Sequence, residues 1–313
     1  MGLGRGSSHK VDRMNRLALS RRAIAAVALL VVLVVIGCVV VLVAMGNQSR
    51  DRVSLRPPEL VEPQVIRVDD NNRDLRLDPN RDYRVEMSGV LRHRDGLVIS
   101  GGRNVVLIGG EIAPSNSVAE GLDETAVLRG LYLRDQTGTI HIEGLRITGE
   151  ELEEGINLSQ TTGATVQLAN IAVDTVHGNK EGSHADVLQV WAGPKTLKVD
   201  RLAGRSQYQG LFLLPFQHLE DAQLSDWSLR RVRIDLDGEA GYGLWKEGEF
   251  SIRLDDVSVQ RDGDQTSGGL TAETNKQLKM VWPEVSDWPG LGFKLDSVLT
   301  GNPGLNYKSP GYE

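Results

Sequence analysis

Along this chain one apolar phrase recurs six times, reading apolar, any, apolar, any, any, apolar, any, apolar. Its first three occurrences are Val105, Leu107, Gly110, Ile112; then Ile140, Ile142, Leu145, Ile147; then Val166, Leu168, Ile171, Val173. It continues as Leu197, Val199, Leu202, Gly204, then Ala222, Leu224, Trp227, Leu229, and finally Ile252, Leu254, Val257, Val259. Period-2 alternation predicts strands, and the two-residue step in the middle predicts a bend between two of them. A further short strand precedes most phrases: Leu131-Tyr132-Leu133, Ile156-Asn157-Leu158, Leu188-Gln189-Val190, Leu211-Phe212-Leu213 and Leu244-Trp245. Three strands per repeat, at a spacing of roughly 25 to 35 residues, predict a solenoid of about six or seven stacked coils, a parallel β-helix.

The pattern changes completely upstream. Ala23 to Met45 carries no charge and no proline, and a run of about 20 apolar residues is long enough to cross a bilayer as a helix. Lys10, Arg13, Arg16, Arg21 and Arg22 precede it, so the positive-inside rule predicts a cytoplasmic N-terminus and an extracytoplasmic remainder. Two alternatives stay open. Ser20-Arg21-Arg22 resembles a twin-arginine export signal, and Val35-Ile36-Gly37-Cys38 resembles a lipobox whose cysteine would be lipidated. The expected organisation is a basic tail (1–22), a transmembrane helix (23–45), a linker (46–64), the β-helix (65–261) and an irregular capping segment (262–313). The linker is expected to be extended because Pro57, Pro58 and Pro63 punctuate it. Val65 to Val85 is expected to form an irregular first coil, and the last segment, with Trp282, Trp288, Phe293 and Tyr307, to fold back over the last coil.

Composition narrows the chemistry. Cys38 is the only cysteine, so the exported domain can hold no disulfide, thiolate metal site or cysteine nucleophile. The net charge of -7 comes with basic residues scattered among acidic ones, which argues against a nucleic-acid partner. A hydrophobic content of 40% places the chain among folded rather than disordered sequences.

Stacked coils turn repeat positions into columns about 4.8 Å apart. Aligning the short strands points Leu131, Ile156, Leu188, Leu211 and Leu244 inward, and Tyr132, Asn157, Gln189, Phe212 and Trp245 outward. Amides flanked by rings suit a sugar chain, whose hydroxyls need donors and acceptors while its C–H faces stack on aromatics. Two positions earlier lies a second column, Arg129, Glu154, Asp186, Gln209 and Tyr242. Adjacent Glu154 and Asp186 would repel unless a proton, an arginine or a metal compensates. The turn before Asp186 adds His177, Lys180, Glu181 and His184. Lys180 or His184 would serve as base in a lyase, whereas Glu154 and Asp186 would flank the bond in a hydrolase. Calcium is the metal such carboxylates, or the Glu150–Glu154 run, would take. Arg205 and Tyr208 complete the expected mouth, one for a carboxylate and one for stacking or proton donation. The opposing expectation is that these are solvated turn residues and that Asp186 caps a turn.

The run from Asp95 to Ile112, DGLVISGGRNVVLIGGEI, resembles the opening coils of the pectate-lyase-like superfamily of right-handed parallel β-helices, and Ser183-His-Ala-Asp-Val-Leu-Gln189 resembles the turn and strand of its substrate face. The resemblance spans about residues 65–260. It implies a right-handed coil and a carbohydrate polymer lying along it, in a superfamily that holds lyases, hydrolases, epimerases and catalytically silent surface proteins. A membrane-anchored polysaccharide-binding or polysaccharide-processing protein and a non-catalytic surface scaffold are therefore both expected readings.

Overall fold

The computed structural model describes residues 54–115, 127–179, 181–237, 242–261, 279–282 and 298–311. Residues 51–313 fall into one compact unit. Among the described residues no helix is long and apolar enough to cross a membrane; the expected span Ala23–Met45 lies outside them.

The fold is all-β. With strands numbered in chain order, one sheet runs through β1 (Gln64–Val68), β3 (Tyr83–Met87), β5 (Val105–Ile108), β8 (Thr139–Glu143), β11 (Thr165–Val176), β13 (Thr196–Ser206), β15 (Asp226–Leu236) and β17 (Ile252–Arg261), with β6 (Glu111–Ile112) and β9 (Arg146–Ile147) attached to it. The second runs through β2 (Asp74–Leu77), β4 (Leu97–Gly101), β7 (Arg129–Arg134), β10 (Glu154–Ser159), β12 (Asp186–Ala192), β14 (Gln209–Leu213), β16 (Tyr242–Glu247) and β18 (Lys279–Trp282). The pairings are parallel except β16 with β18, which is antiparallel. Two long parallel sheets built by successive repeats are consistent with a β-solenoid. The inward columns are fully buried: Leu131, Ile156, Leu188 and Leu244 have no exposed surface. Parallel strands separated by crossovers make a dry interior, so the core reads as one continuous apolar stack.

Each repeat phrase is one bent strand or a strand pair, and the bend sits at its two-residue step. Asn170, Arg201, Arg231 and Asp256 occupy equivalent positions there, each with left-handed φ between 51° and 66°. Gly109 and Gly144 fill the same place in earlier coils, at φ 73° and 69°. A left-handed arginine costs about 1–2 kcal/mol, and each here has a compensating partner. Arg231 grips both oxygens of Asp200 at 2.8 and 2.6 Å, and Arg201 donates to the Val298 carbonyl at 2.7 Å.

Three expectations change. The fifth phrase is Trp227, Leu229, Val232, Ile234, because Leu197 pairs with Trp227 and Leu202 with Val232; Ala222 and Leu224 precede the strand. The first coil is regular, with β1 paired to β3 and β2 to β4. Residues 54–63, from the stretch expected to be a linker, run along the stack: Ser54 donates through its N–H and its hydroxyl to Asp200, and the Val61 N–H donates to Asp82.

Residues 298–311, from the expected cap, follow the bend column instead of the last coil. Thr300 and Asn170 exchange two hydrogen bonds, of 2.6 and 2.8 Å, and Gly304 bonds to Gly110 and Gly144. The Tyr307 ring lies where a side chain on Gly144 would be, and its hydroxyl donates to Glu143 at 2.8 Å. Burial pushes the Glu143 carboxyl up, but bonds from His141, Ser309 and Tyr307 outweigh it and hold the group below its ordinary value. Trp288 and Phe293 lie outside the described residues.

Candidate functional site

The outer face of the second sheet carries both expected ladders. The observed register aligns Arg129, Glu154, Asp186, Gln209 and Tyr242 in one column, and Tyr132, Asn157, Gln189, Phe212 and Trp245 in the next.

The middle of this face is closed rather than open. Asp186 has no exposed surface, and neither of its carboxyl oxygens meets a hydrogen-bond donor. Burial, with the neighbouring Glu154 carboxylate adding repulsion, raises its pKa well above the ordinary range; a buried acid without donors keeps its proton. Glu154 is 8% exposed and accepts from Arg129 Nε at 2.5 Å. Burial raises its pKa, and Arg129 opposes the shift without cancelling it. Asn157 donates to Gln189 at 2.9 Å, joining two neighbouring rungs. The Asn157 and Gln209 side-chain oxygens are also buried without a donor.

Around this closed centre stand aromatic rings. Tyr208 is 8% exposed, with the exposed His184 ring 5.2 Å away and the Tyr242 ring 5.9 Å away. Burial, above all, raises the Tyr208 pKa. Tyr242 meets Trp245 at 5.0 Å, and Trp245 meets Phe212 at 5.5 Å. Toward the first coils Tyr132 meets Trp191 edge-on at 5.6 Å, with the Arg129 guanidinium over both rings and that of Arg134 over Tyr132.

His184, Asp186 and Tyr208 therefore come together at one rung, with Glu154 on the next. Arg205 does not join them. It lies exposed on β13, paired in register with Thr175 and Asp235 in the other sheet. Lys180 lies outside the described residues. Glu153, one of the glutamates considered for calcium, accepts from the Leu128 N–H and the Ser183 hydroxyl, which makes it a turn-capping group. Among the described residues no three His, Cys, Asp or Glu side chains are gathered as a metal site requires.

Two features were not anticipated. Trp191 joins the outward face because a register shift after Leu158 leaves it extra between Val190 and Ala192; its outward parity, two residues after Gln189, was the available signal. A cleft of about 800 Å³ opens over β2, β4 and β7, walled by arginines and aspartates around Tyr132.

No known protein family matches the chain, and no solved structure matches it. It is similar to the flagellin of Salmonella choleraesuis (strain SC-B67), with 22% identity over 175 residues, 53% of this chain and 33% of the flagellin. The chain thus spans about a third of that relative's length.

Proposed function

We propose that this chain is a membrane-anchored, extracytoplasmic, right-handed parallel β-helix that binds or processes an envelope polysaccharide along the outer face of its second sheet. The supporting observation is the run of outward aromatic and amide side chains on consecutive rungs, Tyr132, Asn157, Gln189, Phe212 and Trp245, extended by Trp191, Tyr208 and Tyr242. Rings spaced along an axis match a polymer whose sugars repeat, while the buried Asn157 and Gln189 between them tie neighbouring rungs together through their hydrogen bond. The anchor reading rests on the uncharged Ala23–Met45 segment behind its arginines. Protease added to intact cells is expected to cut at Arg50–Arg56; cutting only after lysis reverses the topology.

The closure of Asp186 favours binding over bond cleavage, since a group that does not reach the surface cannot protonate a glycosidic oxygen from its present position. This is also the observation that supports the second reading, a non-catalytic scaffold. Incubating the protein with a panel of envelope glycans and polyuronates, with and without calcium, separates the outcomes. Released product identifies an enzyme, binding without product identifies a lectin-like face, and neither result on any glycan leaves a protein-interaction scaffold.

A further inference from the structure

The cleft over β2, β4 and β7 has a charge arrangement that selects its ligand. Four guanidinium groups line it, and three of them already face a carboxylate: Arg73 bonds Asp95 at 3.1 Å, Arg76 lies 3.5 Å from Asp74, and Arg129 bonds Glu154. The fourth, Arg134, has its guanidinium 5.4 Å from the Tyr132 ring centre. Four aspartates, Asp74, Asp78, Asp95 and Asp135, also line the cleft, so its lining cationic and anionic groups are equal in number.

An anionic sugar entering this cleft either displaces a carboxylate from Arg73, Arg76 or Arg129 or binds Arg134, and in each case it faces the remaining aspartates. A cationic one meets the guanidinium groups in the same way. A neutral, hydroxyl-rich ring avoids both costs, because each hydroxyl is at once donor and acceptor and can bridge a guanidinium to a carboxylate with the pair intact. Tyr132 is half-buried at the cleft, with the Arg129 and Arg134 guanidinium groups over its ring, and its remaining exposed edge is what the apolar C–H side of such a sugar would pack against. The volume of about 800 Å³ lies within the range of small-ligand sites.

We infer that this cleft is a subsite for neutral pyranose units, packed against Tyr132 and hydrogen-bonded by Arg134 and the aspartates. The inference rests on the polysaccharide reading above and deepens it: the polymer is neutral where it crosses the first coils, and the Arg–Asp wall discriminates against uronates.

The test is calorimetric titration of the full chain, purified in a detergent without a sugar headgroup. The probes are neutral hexasaccharides (cello-, xylo-, manno- and malto-oligomers) set against oligogalacturonate and oligomannuronate. The expected result is binding of at least one neutral oligomer with affinity insensitive to salt, since no net charge is neutralised. Tyr132→Ala is expected to weaken it by about tenfold or more, equivalent to about 1.4 kcal/mol, and Arg134→Ala to weaken it as well, both variants melting like the parent. Uronate binding that is lost in these variants overturns the neutral assignment while leaving the polysaccharide reading in place. Neutral binding unaffected by Tyr132→Ala but lost in Trp245→Ala overturns the cleft and moves the site to the last coils. Failure of every oligomer to bind sinks the inference together with the reading on which it rests.

Discussion

Replacing Asp186 with asparagine probes the closed centre of the second sheet. Its carboxyl is fully buried, has no donor and lies one rung from Glu154, so the folded state holds a proton that the unfolded chain releases above about 3.8, the ordinary value for the group. Between that pH and the raised folded-state value the native protein binds more protons than the unfolded one. Stability therefore falls as pH rises through this window, by about 1.4 kcal/mol per pH unit for a single group. For a domain of this size that is about 3–5 °C of melting temperature per unit. Asp186→Asn keeps the shape and removes the titration, so the variant's melting temperature relative to the parent should climb as pH rises above about 4 and level off once the raised folded-state value is passed. Other titrating groups are present in both proteins and cancel in the difference curve, which reports Asp186 together with its coupling to Glu154. Circular dichroism melts at several pH values supply it. Parallel curves would show that Asp186 is ionised in the native state and would refute the reasoning.

Gly144→Ala places a methyl group into the Tyr307 ring and also imposes a left-handed alanine. Gly163→Ala, at φ 76° with nothing within 4 Å, carries only the backbone cost of about 1–2 kcal/mol. The first variant should be the less stable and should expose residues 298–311 to proteolysis; equal behaviour would remove Tyr307 from the list of stabilising contacts. Leu188→Ala, in the interior stack, should cost about 2–5 kcal/mol. Its neighbour Gln189→Ala leaves the buried Asn157 amide without its acceptor, a cost of about 1–3 kcal/mol, so a loss larger than that of Leu188→Ala would contradict the inward–outward parity.

The columns were legible because strand parity and repeat phase are enforced by burial, and a one-residue slip would turn Leu188 outward and Gln189 inward. The phase failed once, for a reason visible in the chain. Apolar residues at 222, 224, 227, 229, 232 and 234 satisfy the same phrase at two positions five residues apart, and only the pairing of Leu197 with Trp227 selects the second. The site was less legible than the fold. Gly204 to Tyr208 read as a turn, yet β13 continues to Ser206 and carries Arg205 away into the other sheet. The full burial of Asp186 is not encoded in any periodicity. The cleft was missed because its floor is the short strand pair β2 and β4, where Leu75 and Leu77 carry only a fragment of the phrase.

The two chain-end segments meet at one rung. Ser54 is held by Asp200, and Val298 is held by the adjacent Arg201. From there both run back toward the first coils, one reaching Asp82 at Val61 and the other reaching Gly110 at Gly304. A bare solenoid, in which each coil touches only its neighbours, loses structure coil by coil from an open end. Here, fraying the first coils also pulls on contacts that lead to the Asp200–Arg201 rung. The clasp therefore ties an additive stack into a cooperative unit, in which amide hydrogens from the coil of Asp82 to that of Asp200 are expected to exchange through one shared opening.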